Sequence, residues 1–136
     1  MSYPVRAVRR RIQDEHAAIV AGIDRCAEQV AAPWDTARTT DPDRVGDSLS
    51  SALESSGLLE RLPHVLADAI DETGHELQAR PVPKPPYVVV TSRGPVLRAT
   101  IEPGRLVIRF DVFEVVRDPG PAYRRLDGVS LEVALE

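Results

Sequence analysis

Residues 96–112, VLRATIEPGRLVIRFDV, decide the fold of this chain. Apolar and polar side chains alternate on both sides of the central Pro103-Gly104 pair, as they do in two half-buried strands joined by a short turn. Parallel strands need a crossover of about a dozen residues or more, and this turn cannot contain one. The stretch therefore predicts an antiparallel hairpin with one apolar face and one polar face.

The same residue types continue on both sides of this hairpin. β-Branched and aromatic residues are frequent there, and glycine-containing pairs separate the runs. The predicted strands are residues 87–91, 96–101, 106–116 and 123–135. The short connections between them favour an antiparallel meander of four strands.

The part of the chain before the sheet has helical periodicity. Apolar residues at spacings of three and four over residues 4–33 predict one helix roughly 40 Å long, with His16 in its apolar stripe as a core residue satisfied by one hydrogen bond. A second predicted helix begins with Asp41 as its N-cap and ends at Gly57. A third is predicted to begin near Pro63 and to end near residue 74.

Neither half of the chain is expected to bury its apolar surface alone. Four prolines in residues 81–86 predict an extended connector between a helical part at 4–79 and a sheet part at 87–135. A sheet with one apolar face needs a cover, and the helices supply it. We therefore predict a single α+β domain over residues 1–136, with three N-terminal helices packed on a four-stranded antiparallel meander sheet.

Composition excludes several classes of protein. No apolar run of this 136-residue chain approaches the roughly 20 residues that cross a bilayer, so no membrane partner is predicted. Cys26 is the single cysteine, which excludes an internal disulfide and an all-thiolate metal site. The formal net charge of −4 disfavours a dedicated nucleic-acid binder. We expect a cytoplasmic protein and predict no cofactor.

The sequence contains none of the common motifs of nucleophilic or nucleotide-dependent enzymes. GxSxG, GxxxxGK[ST] and GxGxxG are all missing. Cys26 falls at a core position of the first predicted helix, where a cysteine is typically a small buried hydrophobe. These observations favour a non-enzymatic protein.

One histidine and carboxylate pattern leaves a metal-assisted enzyme as an alternative. His64, Asp68, Asp71 and His75 follow one another at spacings of four, three and four, so a continuous helix would place them on one side. His64 and Asp68 could hold two corners of a metal site, but no further ligand is indicated. The other interpretation is a solvated helix face.

Arginines crowd the first two turns of the long helix. Arg6, Arg9, Arg10 and Arg11 lie there, although the positive end of a helix dipole disfavours cations. They indicate an anionic partner, either nucleic acid or a small anion, and Arg93 in a strand-connecting turn could add a guanidinium. The alternative is an exposed face whose charges are balanced by neighbouring acids.

Two predicted features offer surface for another chain. The first helix is longer than a small core needs, and the apolar residues 87–90 form an edge strand of the meander. Both surfaces favour self-association. Our first expectation for function is therefore a homodimeric interaction protein.

Three stretches of the sequence resemble a small family of uncharacterised haloarchaeal proteins. They are residues 62–69 (LPHVLADA), 87–100 (YVVVTSRGPVLRAT) and 105–110 (RLVIRF). Sixteen arginines against one lysine, and ten acids within residues 35–76, fit that origin. That family has no assigned activity, so the resemblance implies an environment and supplies no catalytic residues.

Overall fold

Helices and strands make up most of the computed structural model, which describes residues 3–34, 36–77, 79–102, 104–118 and 120–136. In these residues the helices are α1 (Tyr3–Glu15), α2 (Ala17–Ala31), α3 (Pro42–Ser55) and α4 (Leu58–Glu72). The strands are β1 (Arg38–Thr39), β2 (Val88–Val90), β3 (Pro95–Ile101), β4 (Gly104–Val116) and β5 (Ala122–Leu135). The α+β class is confirmed, with four helices and five strands in the described residues where three and four were predicted.

The sheet has the strand order β1-β5-β4-β3-β2, and all of its pairs are antiparallel. The predicted meander is therefore confirmed for β2 to β5, and β2 forms one edge as expected. The additional strand, β1, pairs Arg38 with Arg124 and Thr39 with Tyr123. It lies between the first two predicted helices, where no strand was predicted, because two residues are too few to show an alternating pattern.

The prediction of one long first helix was wrong. His16 has φ −120° and ψ 25°, and these angles separate α1 from α2. The hydrogen bond from His16 N to Ile12 O (3.0 Å) closes α1, and the one from Val20 N to His16 O (3.1 Å) opens α2, so both helices meet at this bend. The bend lets α1 pack on α4 and β5 while α2 packs on α3, β4 and β5.

Both ends of α3 and the end of α4 agree with the prediction, and only the start of α4 differs. Asp41 caps α3 by accepting a hydrogen bond from Arg44 N, and Gly57 follows α3 with φ 79°. The third predicted helix ends as expected, but it begins at Leu58 rather than near Pro63. Leu58 and Pro63 are both buried, and this packing offsets the hydrogen bond that a proline cannot make inside a helix.

The four helices cover one face of the sheet. One continuous cluster of buried side chains joins both halves of the chain and includes Ile12, Ile23, Leu66, Leu97, Ile108 and Phe110. Leu131 and Val133 of β5 belong to it, while the alternate residues Glu132 and Ala134 are exposed. The predicted alternation is confirmed. The opposite side of the sheet, named here the outer face, exposes Arg105, Arg109 and Glu132, while Val107 on the same face is buried.

Candidate functional site

The carboxylate of Asp68 in α4 is the centre of a polar contact with the first two helices. Arg11 donates from Nε to Oδ2 at 2.9 Å and from Nη2 to Oδ1 at 3.2 Å. His16 Nε2 lies 2.7 Å from Oδ2. Both carboxylate oxygens are therefore occupied, and the Asp68 side chain is 20% exposed.

This contact shifts the titration of Asp68. The hydrogen bond from Arg11 is the largest cause and lowers the pKa of Asp68, burial opposes it, and the hydrogen bond with His16 lowers the pKa further. The hydrogen bond between Arg11 and Asp68 also raises the pKa of Arg11. Asp68 consequently stays ionised to a lower pH than an ordinary aspartate.

The two predicted metal ligands lie at this contact, but the structure gives them other neighbours. The His64 ring meets the His16 ring edge to face, with the centroids 6.2 Å apart. A metal ion at Asp68 would have to displace Arg11 or His16. Among the residues that the structure describes, no group of three or more His, Cys, Asp or Glu side chains is placed to hold a metal ion.

The interpretation of a solvated helix face agrees with His64 and Asp71, which are exposed, and is wrong for Asp68. α1 packs against α4 on that side, so the carboxylate meets Arg11 and His16 there. His16 makes one hydrogen bond, to Asp68, as predicted, but its side chain is 11% exposed and is not fully buried in the core. His75 follows the end of α4 and does not continue the pattern of His64 and Asp68.

Three of the four N-terminal arginines, Arg6, Arg10 and Arg11, line one depression, and Arg9 is not in its lining. Arg9 donates from Nη1 to the carbonyl of Leu131 on β5 at 2.8 Å, and Arg11 is bound to Asp68. Arg6 and Arg10 are exposed at this shallow depression. Asp14, Glu15 and Glu72 line the same depression, so acids accompany the exposed pair.

Arg93 lies far from these arginines, in the turn between β2 and β3. Its carbonyl accepts hydrogen bonds from both Val112 N (2.8 Å) and Phe113 N (3.1 Å), at the point where the register between β4 and β5 shifts. The next residue must be glycine, because a Cβ on Gly94 would lie 1.9 Å from the carbonyl oxygen of Phe110. The backbone of Arg93 is therefore fixed while its side chain is exposed.

Three arginines that the motif search missed accompany Arg93 on the outer face. Arg98 of β3 and Arg105 and Arg109 of β4 line, with Arg93, a shallow basin of about 380 Å³. The alternation of polar and apolar residues already assigns Arg98 and Arg109 to the polar face. The four arginines come together through the pairing of β3 with β4, and this pairing cannot be predicted from a local sequence motif.

Basic and acidic residues form two neighbouring rows on this face. The β4 row contains Arg105, Val107, Arg109 and Asp111, and the β5 row contains Ser130, Glu132, Ala134 and Glu136. Arg109 lies directly opposite Glu132, and Val107 lies opposite Ala134. The charged residues of the β4 row are therefore mainly basic, and the charged residues of the β5 row are both glutamates.

Asp111 is the acidic exception in the β4 row. Burial is the largest cause that raises its pKa, and the negative charge of Glu132 raises it further. Arg109 and Arg93 oppose this shift without cancelling it. Asp111 thus lies in surroundings that disfavour its ionised form, unlike Asp68.

A family model described as a domain of unknown function, DUF7988, matches residues 6–136. The chain belongs to the DUF7988 family. The match includes both the helices and the sheet, so the Asp68 contact and the outer face lie within the DUF7988 region.

Other comparisons add no assignment to this DUF7988 chain. Searches among curated proteins and solved structures give no match. In the described part of the chain, no helix combines the length and apolarity needed to cross a membrane.

Proposed function

We propose that this DUF7988 protein is a non-enzymatic interaction protein that forms a homodimer through the outer face of β4 and β5. The observation that supports the proposal is the basic β4 row beside the carboxylate-bearing β5 row. Arg124 and Glu114 pair across these two strands. In the described structure Arg109 and Glu132 are not within ion-pair distance, although they are opposite residues in the register. Their charges are therefore available to a second copy.

The two rows are complementary to each other under two-fold symmetry. An axis parallel to the strands and midway between β4 and β5 would exchange the rows between two copies. Arg109 of each copy would then face Glu132 of the other. Such contact removes water from the charged pairs, and salt screens buried pairs much less than exposed ones.

The sequence suggested two association surfaces, the long first helix and the edge strand at residues 87–90, and the outer face replaces the first of them. The bend at His16 lets both halves of the first helical segment pack on the rest of the chain, so excess helix length no longer argues for a dimer. β2 remains an edge strand, but only three residues long. Val82 is the one large hydrophobic residue that is strongly exposed in the described residues, which leaves charge complementarity as the basis of association.

Charge reversal tests this interface. Arg109→Glu or Glu132→Arg alone would place like charges together twice in a symmetric dimer, and either is expected to weaken dimerisation by roughly tenfold or more. The double variant restores opposite charges and should restore the dimer. Sedimentation equilibrium measures the dissociation constant, and Arg61→Glu, on the exposed side of α4, is the matched control.

Two results would contradict the proposed dimer. One is a wild-type monomer at high micromolar concentration across a range of salt concentrations. The other is a dimer whose dissociation constant is the same in the wild type and in both single variants. In the second case the association surface would lie elsewhere, for example at the β2 edge.

Anion or nucleic-acid binding by the N-terminal arginines remains a second candidate. Its support is the exposure of Arg6 and Arg10 at the start of α1. Replacing both with glutamine should weaken binding of a phosphate-rich probe such as DNA and reduce its salt dependence. Unchanged affinity would eliminate this surface as the contact.

A metal-assisted reaction at His64 and Asp68 stays a prediction without a supporting observation, because Asp68 already accepts hydrogen bonds through both oxygens. Metal analysis of protein purified without chelator tests it. The proposed location is the cytoplasm, where the free thiol of Cys26 would remain reduced. The arginine-rich composition supports a proposed haloarchaeal origin.

A further inference from the structure

A cavity of about 880 Å³ opens at the edge of the sheet, where β3 extends beyond the first residue of β2. β2 pairs with residues 95–97 of β3, and among the described residues no strand lies beside residues 99–101 on that edge. The cavity lining includes Glu76, Tyr87, Arg98, Thr100, Glu102 and Arg105. It is open to solvent, like the basin beside Arg93.

The backbone of Thr100 faces this open edge. Arg98 donates its N–H to the carbonyl of Tyr87 at 2.9 Å, so the peptide groups of Arg98 point toward β2. Peptide groups two positions apart on a strand point the same way, and Thr100 therefore points to the same edge. Arg105, opposite Thr100 in the register, makes both of its backbone hydrogen bonds with Glu136 instead. Thr100 thus offers a donor and an acceptor to an added strand.

Opposite charges lie at the two ends of this edge. Arg98 is at one end, and its Nε is buried without a hydrogen-bond partner in the described structure. Glu102 is four positions further along the chain, which corresponds to about 13 Å in a strand. Glu76 lines the same cavity. Guanidinium groups bind carboxylates, and carboxylates bind ammonium groups.

We propose that this cavity binds a short extended peptide of about four residues with free termini. The peptide adds a strand antiparallel to β3, where a longer β2 would lie, and its backbone exchanges hydrogen bonds with Thr100. In this direction its C-terminal carboxylate meets Arg98. Its N-terminal ammonium meets Glu102 and Glu76. The cavity thus recognises the peptide through its backbone and its two charged termini.

The test is an NMR titration of isotopically labelled protein with an equimolar library of tetrapeptides, observed at the Thr100 amide. Three libraries are compared: one with free termini, one amidated at the C-terminus and one acetylated at the N-terminus. The free library is expected to give a saturable shift, and blocking either terminus is expected to weaken binding by roughly tenfold or more. No shift at millimolar peptide, or equal affinity for all three libraries, would overturn the proposal.

Two substitutions assign the ends of the peptide. Arg98→Gln should weaken binding of the free library and leave the amidated one unchanged. Glu102→Gln should weaken the free library and leave the acetylated one unchanged, while Arg61→Gln serves as the control. Equal weakening of all libraries by either variant would overturn that residue's assignment. Neither variant alters Arg109 or Glu132, but Arg98 lines the outer-face basin with Arg109, so sedimentation of both variants separates an effect on the dimer from an effect on peptide binding.

Discussion

The carboxylate of Asp68 lies 2.7 Å from Nε2 of His16, although the two residues are 52 positions apart in the chain. His16 is the residue at which α1 and α2 change direction, and Asp68 lies inside α4. Their side chains are only 11% and 20% exposed. The contact therefore ties the bend of the first helical segment to the helix that packs beside it.

Replacing Asp68 with asparagine is expected to reduce the free energy of unfolding at neutral pH by about 1–3 kcal/mol, because Arg11 and His16 lose their charged acceptor. The pKa of Asp68 is lowered in the folded protein, so its contribution is present above the unfolded value and disappears as pH falls through the folded value. The variant and the wild type should therefore converge in stability well below about pH 4. Urea unfolding across this pH range measures both effects.

Asp71→Asn is the matched control for that experiment. Asp71 is exposed on the same helix, three positions from Asp68. Its replacement should change stability by no more than roughly 0.5 kcal/mol. A stability difference between Asp68→Asn and wild type that stays constant from neutral to acid pH would contradict the assigned titration.

The opposite sign is expected for Asp111. The pKa of this carboxyl is raised by burial and by Glu132, so its ionisation in the folded state opposes stability as pH rises through its unfolded value. Asp111→Asn should therefore leave neutral-pH stability unchanged or increase it by roughly a few tenths of a kcal/mol, because solvent screens this half-buried group. Urea unfolding at neutral pH measures this change. Clear destabilisation would show that ionised Asp111 is a favourable partner of Arg109 or Arg93.

Most of the sheet could be predicted from the sequence because its alternating pattern continues along each strand. Leu97, Ile108 and Leu131 are buried as that pattern requires. The bend at His16 could not be predicted, because the apolar stripe continues on both sides of it. The spacing of apolar residues predicts which side chains share a face of a helix, but it does not predict where the helix axis changes direction.

The candidate sites depended on information that local patterns lack. Asp68 and Arg11 are 57 positions apart, so their contact arises only when α1 packs on α4. Arg109 and Glu132 become neighbours through the β4 and β5 register. The sequence could place each of these residues on a face of its own element, but the choice of neighbouring element is a property of tertiary packing.

Gly94→Ala is expected to destabilise the fold by roughly 2–4 kcal/mol. The φ angle of Gly94 is 153°, and an added Cβ would lie 1.9 Å from the carbonyl oxygen of Phe110. Backbone atoms cannot yield as a flexible side chain can, so the turn carrying Arg93 would have to move. Gly120→Ala, with nothing within 4 Å of its Cβ position, is the control and should stay near wild type in urea unfolding. Equal stability of the two variants would contradict this account of the turn.

Unfolding of the helices and of the sheet is expected to coincide, as the prediction of a single domain requires. Trp34, the one tryptophan, packs on Phe113 of β4 with ring centroids 5.6 Å apart, so its fluorescence reports on the sheet side of the core. Far-UV circular dichroism reports mainly on the helices. Both probes should give one midpoint in urea if the buried cluster that joins the two parts is cooperative.

Leu66→Ala provides the sharper form of this test, because Leu66 is fully buried on α4 within the shared cluster. Its truncation should lower the free energy of unfolding by about 2–5 kcal/mol and should move the fluorescence and dichroism midpoints together. Val82→Ala, at the exposed Val82, is the control and should move neither. A Leu66→Ala variant whose dichroism midpoint falls while its Trp34 midpoint stays in place would mean that the helices and the sheet unfold as separate units.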